Sequence, residues 1–165
     1  MVSRYICEEG ENKITPMIKK ADTHFKIQRL IATDLTNDSI AQINTLFTQL
    51  NASIKQGDPR DIVDSHGLQF WVCWDSDTIV GMALMATYHV ISGRKGMIED
   101  VVVHEDYRGK GIGKQLIKAL INEGERMQLN DILLFTGHHR KPAIFLYTSL
   151  GFRLKESGLY SLKLN

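Results

Sequence analysis

The sequence is poor in the features that mark specialised classes of protein. Its two cysteines, Cys7 and Cys73, offer neither a disulfide framework nor a metal-ligand spacing, which favours a reduced protein without a bound metal. The formal net charge is +1, so no overall field attracts nucleic acid or an anionic membrane. No apolar run is long enough for a signal peptide or a membrane span. These absences predict a cytoplasmic protein that binds neither nucleic acid nor membrane.

The composition that is present is ordinary for a soluble globular protein, with 43% hydrophobic and 24% charged residues. A length of 165 residues is typical of one domain with a single core. Residues 1–24 are polar and lack periodicity, so we expect a polar N-terminal extension there and a single domain over residues 25–165.

Apolar spacing predicts the order strand, two helices, three strands, helix, strand, helix and two strands. The first helix begins near Asn37, and Asp58-Pro59 is typical of an N-cap followed by proline at the first helical position. The last two strands, FRLKE and GLYSLKL, are expected to form a hairpin that closes the chain.

The segment EDYRGKGIGKQL, residues 105–116, lies between a predicted strand and a predicted helix. A helix start leaves backbone N–H groups without partners and carries the positive end of the helix dipole. Three glycines would let an anion approach that backbone closely, and three basic side chains add charge: Gly109, Gly111 and Gly113, with Arg108, Lys110 and Lys114. The segment therefore favours a phosphate or pyrophosphate ligand, and the alternative is a solvated turn.

Two familiar phosphate motifs do not match this segment. The dinucleotide fingerprint needs a third glycine where the chain has Lys114, and a Walker loop fails at Arg108 and Gln115. A module for ATP or NAD is therefore disfavoured. The pattern R-x-x-G-x-G does match at Arg108, and Y-x-x-x-G-F follows in a predicted helix at Tyr147.

With these two motifs, the sequence resembles the GNAT superfamily of acyl-CoA-dependent N-acetyltransferases. The resemblance covers roughly residues 25–164 and is specific over residues 97–152, where GMIEDVVVHEDYRGKGIGKQLI is also similar to glucosamine-6-phosphate N-acetyltransferases and related bacterial proteins. It implies an α/β fold (α+β in the stricter sense) with a mixed, mostly antiparallel sheet and helices on both faces. The strand before the glycines and the strand DILLF should run parallel and splay, which opens the coenzyme site.

The resemblance implies acetyl-CoA as the acyl donor. The glycine segment would hold the coenzyme pyrophosphate, and the preceding strand would pair with the pantetheine arm through backbone groups of Val101 and Val103, while the side chains serve the core. The implied coenzyme contacts are Val101, Val102, Val103, Arg108, Gly109, Lys110, Gly111, Ile112, Gly113 and Lys114.

The resemblance also implies two catalytic residues. Tyr147 matches the family's proton donor to the departing thiolate, and the alternative is a buried tyrosine whose hydroxyl binds a backbone group. Glu99 matches the family's acid and is the candidate base, and the alternative is a salt bridge to Arg94 or Lys95. Adjacent strand residues face opposite ways, so Asp100 is expected to be a structural hydrogen-bond acceptor.

One position departs from the family pattern, because Arg140 stands where the family often has asparagine. Its guanidinium suits a phosphate of the coenzyme or an acidic group of the acceptor. The expected acceptor is a primary amine of a small molecule, contacted by the early helices and residues 51–67. A non-catalytic acyl-CoA-binding module is the alternative function, and a homodimer is compatible with the resemblance.

Overall fold

A computed structural model describes residues 25–164, and the expected N-terminal extension lies outside them. Five strands form one sheet in the order β1-β2-β3-β4-β5. The first four strands are antiparallel neighbours, and β4 pairs with β5 in parallel. The strands are β1 (Phe25–Arg29), β2 (Leu68–Asp75), β3 (Thr78–Val90), β4 (Gly93–Val103) and β5 (Asp131–Leu134).

Helices cover both faces of this sheet, as expected. On one face, α1 (Asn37–Leu50) and α2 (Pro59–Val63) share a core cluster with inward side chains of β2 and β3. On the other face, α3 (Ile112–Arg126) and α4 (Lys141–Ser149) share a second cluster with the alternate residues of the same strands. The sheet is therefore buried on both sides, which explains why β3 is apolar over seven consecutive buried positions.

The helix starts follow the sequence signals. Thr36 caps α1 by accepting a hydrogen bond from the Ser39 amide at 3.1 Å. Asp58 caps α2 by accepting from the Arg60 amide at 2.9 Å, ahead of Pro59 at the first helical position. Of the described helices, none has the length and apolar character needed to cross a membrane.

The prediction of a C-terminal hairpin is wrong. Residues 152–164 form no strand, and Tyr160 and Leu164 are 95% and 87% exposed. The alternation of Tyr160, Leu162 and Leu164 has the period of a strand, but a two-stranded hairpin without a packed face is marginal in water. Since these side chains find no described core surface, the periodicity alone does not produce strands.

A β-bulge interrupts the pairing of β3 with β4. Met82 pairs with Val102, whereas Leu84 pairs with Glu99, so β4 carries one extra residue across this interval. The bulge is located at Asp100, whose φ is 48°. Aspartate tolerates this left-handed conformation better than most residues. The bulge lies at the point where β4 and β5 stop pairing.

Candidate active site

The parallel strands β4 and β5 separate after a short paired stretch. Their register runs from Lys95 opposite Asp131 to Ile98 opposite Leu134. Beyond it lies a cavity of about 250 Å³, bounded by both strands, the start and second turn of α4, and the end of α1. We call it the cleft cavity. Its lining residues are Phe47, Leu50, Asn51, Ile54, Ile98, Glu99, Asp100, Val101, Leu134, Phe135, Thr136, Arg140, Ala143 and Tyr147.

Two adjacent carboxylates, Glu99 and Asp100, both line the cleft cavity. Strand alternation would send them to opposite faces, but the left-handed Asp100 in the bulge breaks the alternation. The pKa of Glu99 is raised by partial burial and by the neighbouring Asp100 charge, and burial raises the pKa of Asp100. The site thus holds two carboxyls that take up protons more readily than fully solvated ones do.

Within the part of the chain that the structure describes, neither acid makes the contact that a structural role would require. Glu99 forms no ion pair there with Arg94 or Lys95, and Arg94 instead donates to the His89 ring and, at 3.2 Å, to the Met127 carbonyl. Asp100 accepts no side-chain hydrogen bond from a described group, so the role of a structural acceptor stays a prediction. Asp100 is one of the residues that line the cleft cavity.

Tyr147 lies on α4 with only 9% of its surface exposed. Its hydroxyl makes no hydrogen bond to any described residue, and Tyr147 is one of the residues that line the cleft cavity. Burial raises the pKa of this phenol, and the Arg140 charge partly opposes that effect. Tyr147 is therefore protonated at neutral pH and can donate.

The edge of β4 next to the cavity is open beyond Ile98. The Arg94 carbonyl accepts a hydrogen bond from the Asn130 amide at 2.8 Å. Because backbone direction alternates along a strand, every second residue from Arg94 directs its N–H and C=O groups towards β5. The extra residue of the bulge shifts this alternation, which turns Val101 and Val103 towards the open edge. The Arg108 side chain donates to the Val103 carbonyl at 3.2 Å, while Val101 lines the cavity.

The glycine segment forms the turn between β4 and α3. Gly109 and Gly111 have φ of 77° and 80°, and a Cβ at either would meet nothing within 4 Å. The first α3 backbone bond runs from Gln115 to the Gly111 carbonyl at 3.1 Å, so the amides of Ile112, Gly113 and Lys114 have no acceptor inside the helix. The turn therefore combines open space at two glycines with helix-start N–H groups that have no acceptor inside the helix.

Basic side chains surround this turn without neutralisation. Arg108 and Lys110 are exposed, and none of Arg108, Lys110 and Lys114 pairs with a carboxylate among residues 25–164. Lys110 lies over the Tyr107 ring, 4.4 Å from its centre. The segment has the charge and the exposed backbone that an anionic group needs.

The structure brings some of the candidate residues together and separates others. Glu99, Val101, Arg140 and Tyr147 share the cleft cavity, whereas the glycine segment lies outside its lining, at the far end of β4.

The sequence did not reveal Asp100 as a cavity residue, nor the α1 side chains Phe47 and Leu50. No local signal gives the position of the bulge, and the α1 residues read as ordinary core. Among residues 25–164, no group of histidine, cysteine and acidic side chains is placed to hold a metal ion.

Comparison with known proteins agrees with this geometry. The model of the acetyltransferase (GNAT) family matches residues 37–152, which include α1, the sheet from β2 onwards and α4. The chain therefore belongs to the GNAT acetyltransferase family. The resemblance and the fold expected from it, a mixed sheet with helices and a parallel β4–β5 pair, are confirmed.

Individual relatives carry related descriptions. N-acetyltransferase family 8 member 2 of Rattus norvegicus is 32% identical over 108 residues, which are 62% of this chain and 47% of the relative. The chain thus spans about half the length of that relative. An aminoglycoside acetyltransferase from an uncultured soil metagenomic sample, solved with trehalose, superposes with a TM-score of 0.74 at 20% identity over 87% of this chain and 98% of that one. Glucosamine-6-phosphate N-acetyltransferase of Arabidopsis thaliana superposes with a TM-score of 0.69 at 23% identity over 84% and 97%. At these identities the structural likeness concerns the fold.

Proposed function

We propose that the domain of residues 25–165 transfers an acetyl group from acetyl-CoA directly to a primary amine of a small molecule. The observation that carries the proposal is that Glu99 and Tyr147 line one cavity at the open edge of β4. One is a carboxyl with a raised pKa that can accept a proton, and the other is a protonated phenol that can donate one. Family membership supports the reaction class.

The donor would extend from the glycine segment to the cleft cavity. The pyrophosphate fits Arg108, Gly109, Lys110, Gly111, Ile112, Gly113 and Lys114, because the turn offers open backbone N–H groups and cations without described partners. The pantetheine arm fits the open edge of β4 at Val101 and Val103, with Val102 behind it in the core. Arg140, exposed at the start of α4 and part of the cleft lining, would bind a phosphate of the coenzyme or an acid group of the acceptor.

Acetyl-CoA supplies a thioester, whose carbon–sulfur bond breaks as the acceptor nitrogen forms the amide bond. Tyr147 gives its phenolic proton to the sulfur that leaves, and later regains a proton from solvent. Glu99, directly or through a water molecule, takes the proton that an ammonium acceptor must lose before its nitrogen can attack. The second proton, which the nitrogen loses as the amide bond forms, passes to water, and the sulfur receives its proton from Tyr147.

Titration of acetyl-CoA into the purified protein, followed by calorimetry, is the first test, with ATP and NAD as controls. The proposal expects selective binding of acetyl-CoA, and then release of free thiol when an amine is added. Binding without amine-dependent thiol release across an amine panel would favour a non-catalytic acyl-CoA-binding module. No binding of acetyl-CoA to folded protein would contradict the proposed function.

A further inference from the structure

A second cavity of about 180 Å³ adjoins the cleft cavity, because Phe47 and Asp100 line both. It lies between the α1–α2 layer and the sheet, and we call it the side cavity. Its wall is dominated by apolar side chains that also belong to the core: Ile43, Phe47, Ile62, Phe70, Met82 and Leu84. The early helices thus contribute to it, as expected for an acceptor site.

Polar groups in the side cavity are few. Asp100 is its single charged lining residue among those that the structure describes. The Gln56 amide nitrogen is engaged, since it donates to the Asn44 carbonyl at 3.1 Å and to the Thr48 hydroxyl at 3.0 Å. These bonds fix the 51–58 loop against α1, so the wall of the cavity is held in place by contacts that do not involve a ligand.

We infer that the acceptor is a primary amine on an apolar skeleton, whose hydrocarbon part occupies the side cavity and whose ammonium group faces Asp100. This inference rests on the proposed function and adds the class of acceptor to it. The size supports a small hydrocarbon group, because a cavity of about 150 Å³ lined by leucine, isoleucine and phenylalanine accepts benzene. The acceptor would thus carry a phenylalkyl or a short alkyl chain.

Charge and geometry determine how the acceptor amine is oriented between the two cavities. An alkylammonium has a pKa of about 10, so it enters charged and needs an anion at the end of an otherwise apolar cavity. Asp100 supplies that anion at the junction of the two cavities, one residue from Glu99. The nitrogen held at Asp100 therefore stands at the boundary of the cleft cavity, where Glu99 can accept its proton.

Other amine classes fit the side cavity less well. An amino sugar carries several hydroxyl groups, and burying them against apolar walls without hydrogen bonds is unfavourable. A polyamine would place a second ammonium among the core side chains, away from the single carboxylate. The side cavity therefore discriminates against both.

The test is a series of straight-chain primary amines from ethylamine to hexylamine, with 2-phenylethylamine, and with glucosamine and spermidine as hydrophilic comparisons. Thiol release from acetyl-CoA is measured, and acetyl-CoA binding is measured separately without amine. Each added methylene should raise kcat/KM by about fourfold until the cavity is full. Turnover of glucosamine or spermidine that equals or exceeds that of the apolar amines overturns the inference, as does a failure of every apolar amine to react.

Two variants sharpen this test. Ile62→Trp, at a partly exposed position of α2, should narrow the side cavity and lower kcat/KM for 2-phenylethylamine by about tenfold or more, with ethylamine little changed. Ile91→Trp, in a fully exposed turn outside both cavities, is the matched control and should leave the series unchanged. An unaltered preference for 2-phenylethylamine in folded Ile62→Trp would overturn the inference.

The acceptor inference and the proposed function fail in different ways. Binding of acetyl-CoA together with a preference for hydrophilic amines would retain the donor site and reject the apolar acceptor. Absence of acetyl-CoA binding would reject the proposed function and the inference with it. Asp100→Asn gives a further arm, since it should raise KM for the apolar amines by about 10- to 100-fold while acetyl-CoA affinity stays unchanged. An unchanged KM in that variant would overturn the assignment of the ammonium to Asp100.

Discussion

Glu99 and Asp100 are neighbours in a strand, and both residues line the same cavity. A regular strand cannot achieve this, because successive side chains point to opposite faces. The left-handed conformation of Asp100 in the β-bulge makes it possible. These two acids, at the end of the paired part of β4 and β5, give the site its capacity to accept protons.

The half-buried Asp100 carboxylate should reduce the stability of the protein at neutral pH. Burial raises its pKa above the ordinary 3.8, so the folded state favours the protonated form. Asp100→Asn should therefore raise the free energy of unfolding at pH 7–8, where wild-type Asp100 is charged in both states. The difference should disappear as the pH falls below 3.8, because the carboxyl is then protonated in both states.

Urea denaturation of both proteins across this pH range measures the effect. Asparagine also tolerates a positive φ, so the substitution adds little backbone strain. A lower free energy of unfolding for Asp100→Asn at neutral pH would show that the carboxylate is stabilised by partners, contrary to the arrangement described above.

Glu99 should control the acid limb of the pH–rate profile. A base acts only when it is deprotonated, so kcat/KM should fall as the pH decreases through the Glu99 pKa, which lies above 4.5. Glu99→Gln should lower kcat by about 10²- to 10⁴-fold and remove that limb. The control is Glu125→Gln on the exposed side of α3, where the profile should not change. Retention of the acid limb in Glu99→Gln would assign it to another group.

Loss of the Tyr147 hydroxyl should affect turnover without affecting donor binding. Tyr147→Phe retains the ring that packs edge-on against Phe152, with centroids 6.0 Å apart, so the free energy of unfolding should change little. Thiol release should fall by about 10²-fold or more, while calorimetry gives an unchanged affinity for acetyl-CoA. Tyr160→Phe, at a 95% exposed position, is the matched control. Full activity of Tyr147→Phe would remove the tyrosine from the mechanism.

Gly111 should be needed for the donor and not only for the turn. Gly111→Ala forces a side chain into a positive φ, which costs about 1–2 kcal/mol, and places a methyl group where an anion would approach. Gly151→Ala has the same strain, with φ of 92° and open space around the Cβ, but lies beyond α4. Both should lose similar stability, and only Gly111→Ala should weaken acetyl-CoA binding, by roughly 10- to 100-fold. Equal affinities in the two variants would make the segment a turn alone.

Much of this fold was accessible from the sequence because local signals and burial agree. Thr36 and Asp58 cap helices where their side chains suggest, and the glycine segment lies between a strand and an amphipathic helix. The terminal hairpin was not predictable in this way, since an alternating segment becomes a strand only where a neighbouring edge or a packed face accepts it. Hydrophobic periodicity is a property of the segment alone, whereas strand pairing depends on the rest of the molecule.

Only part of the candidate site could be predicted from the sequence. The identities of Glu99 and Tyr147 as candidates came from motifs, but their common cavity depends on the separation of β4 from β5. The role of Asp100 was not accessible, because a bulge is a property of the register between two strands and changes the direction of every following side chain. The side cavity likewise depends on how α1 and α2 sit on the sheet.

The open edge of β4 also bears on solubility. An interior strand that loses its neighbour halfway along exposes backbone groups that another polypeptide could pair with, and such edges promote aggregation. This chain carries two features that oppose such pairing, the bulge at Asp100 and the Arg108 side chain seated on the Val103 carbonyl. A ligand that follows the same edge would complete the protection, so the loaded protein should withstand higher concentration than the empty one.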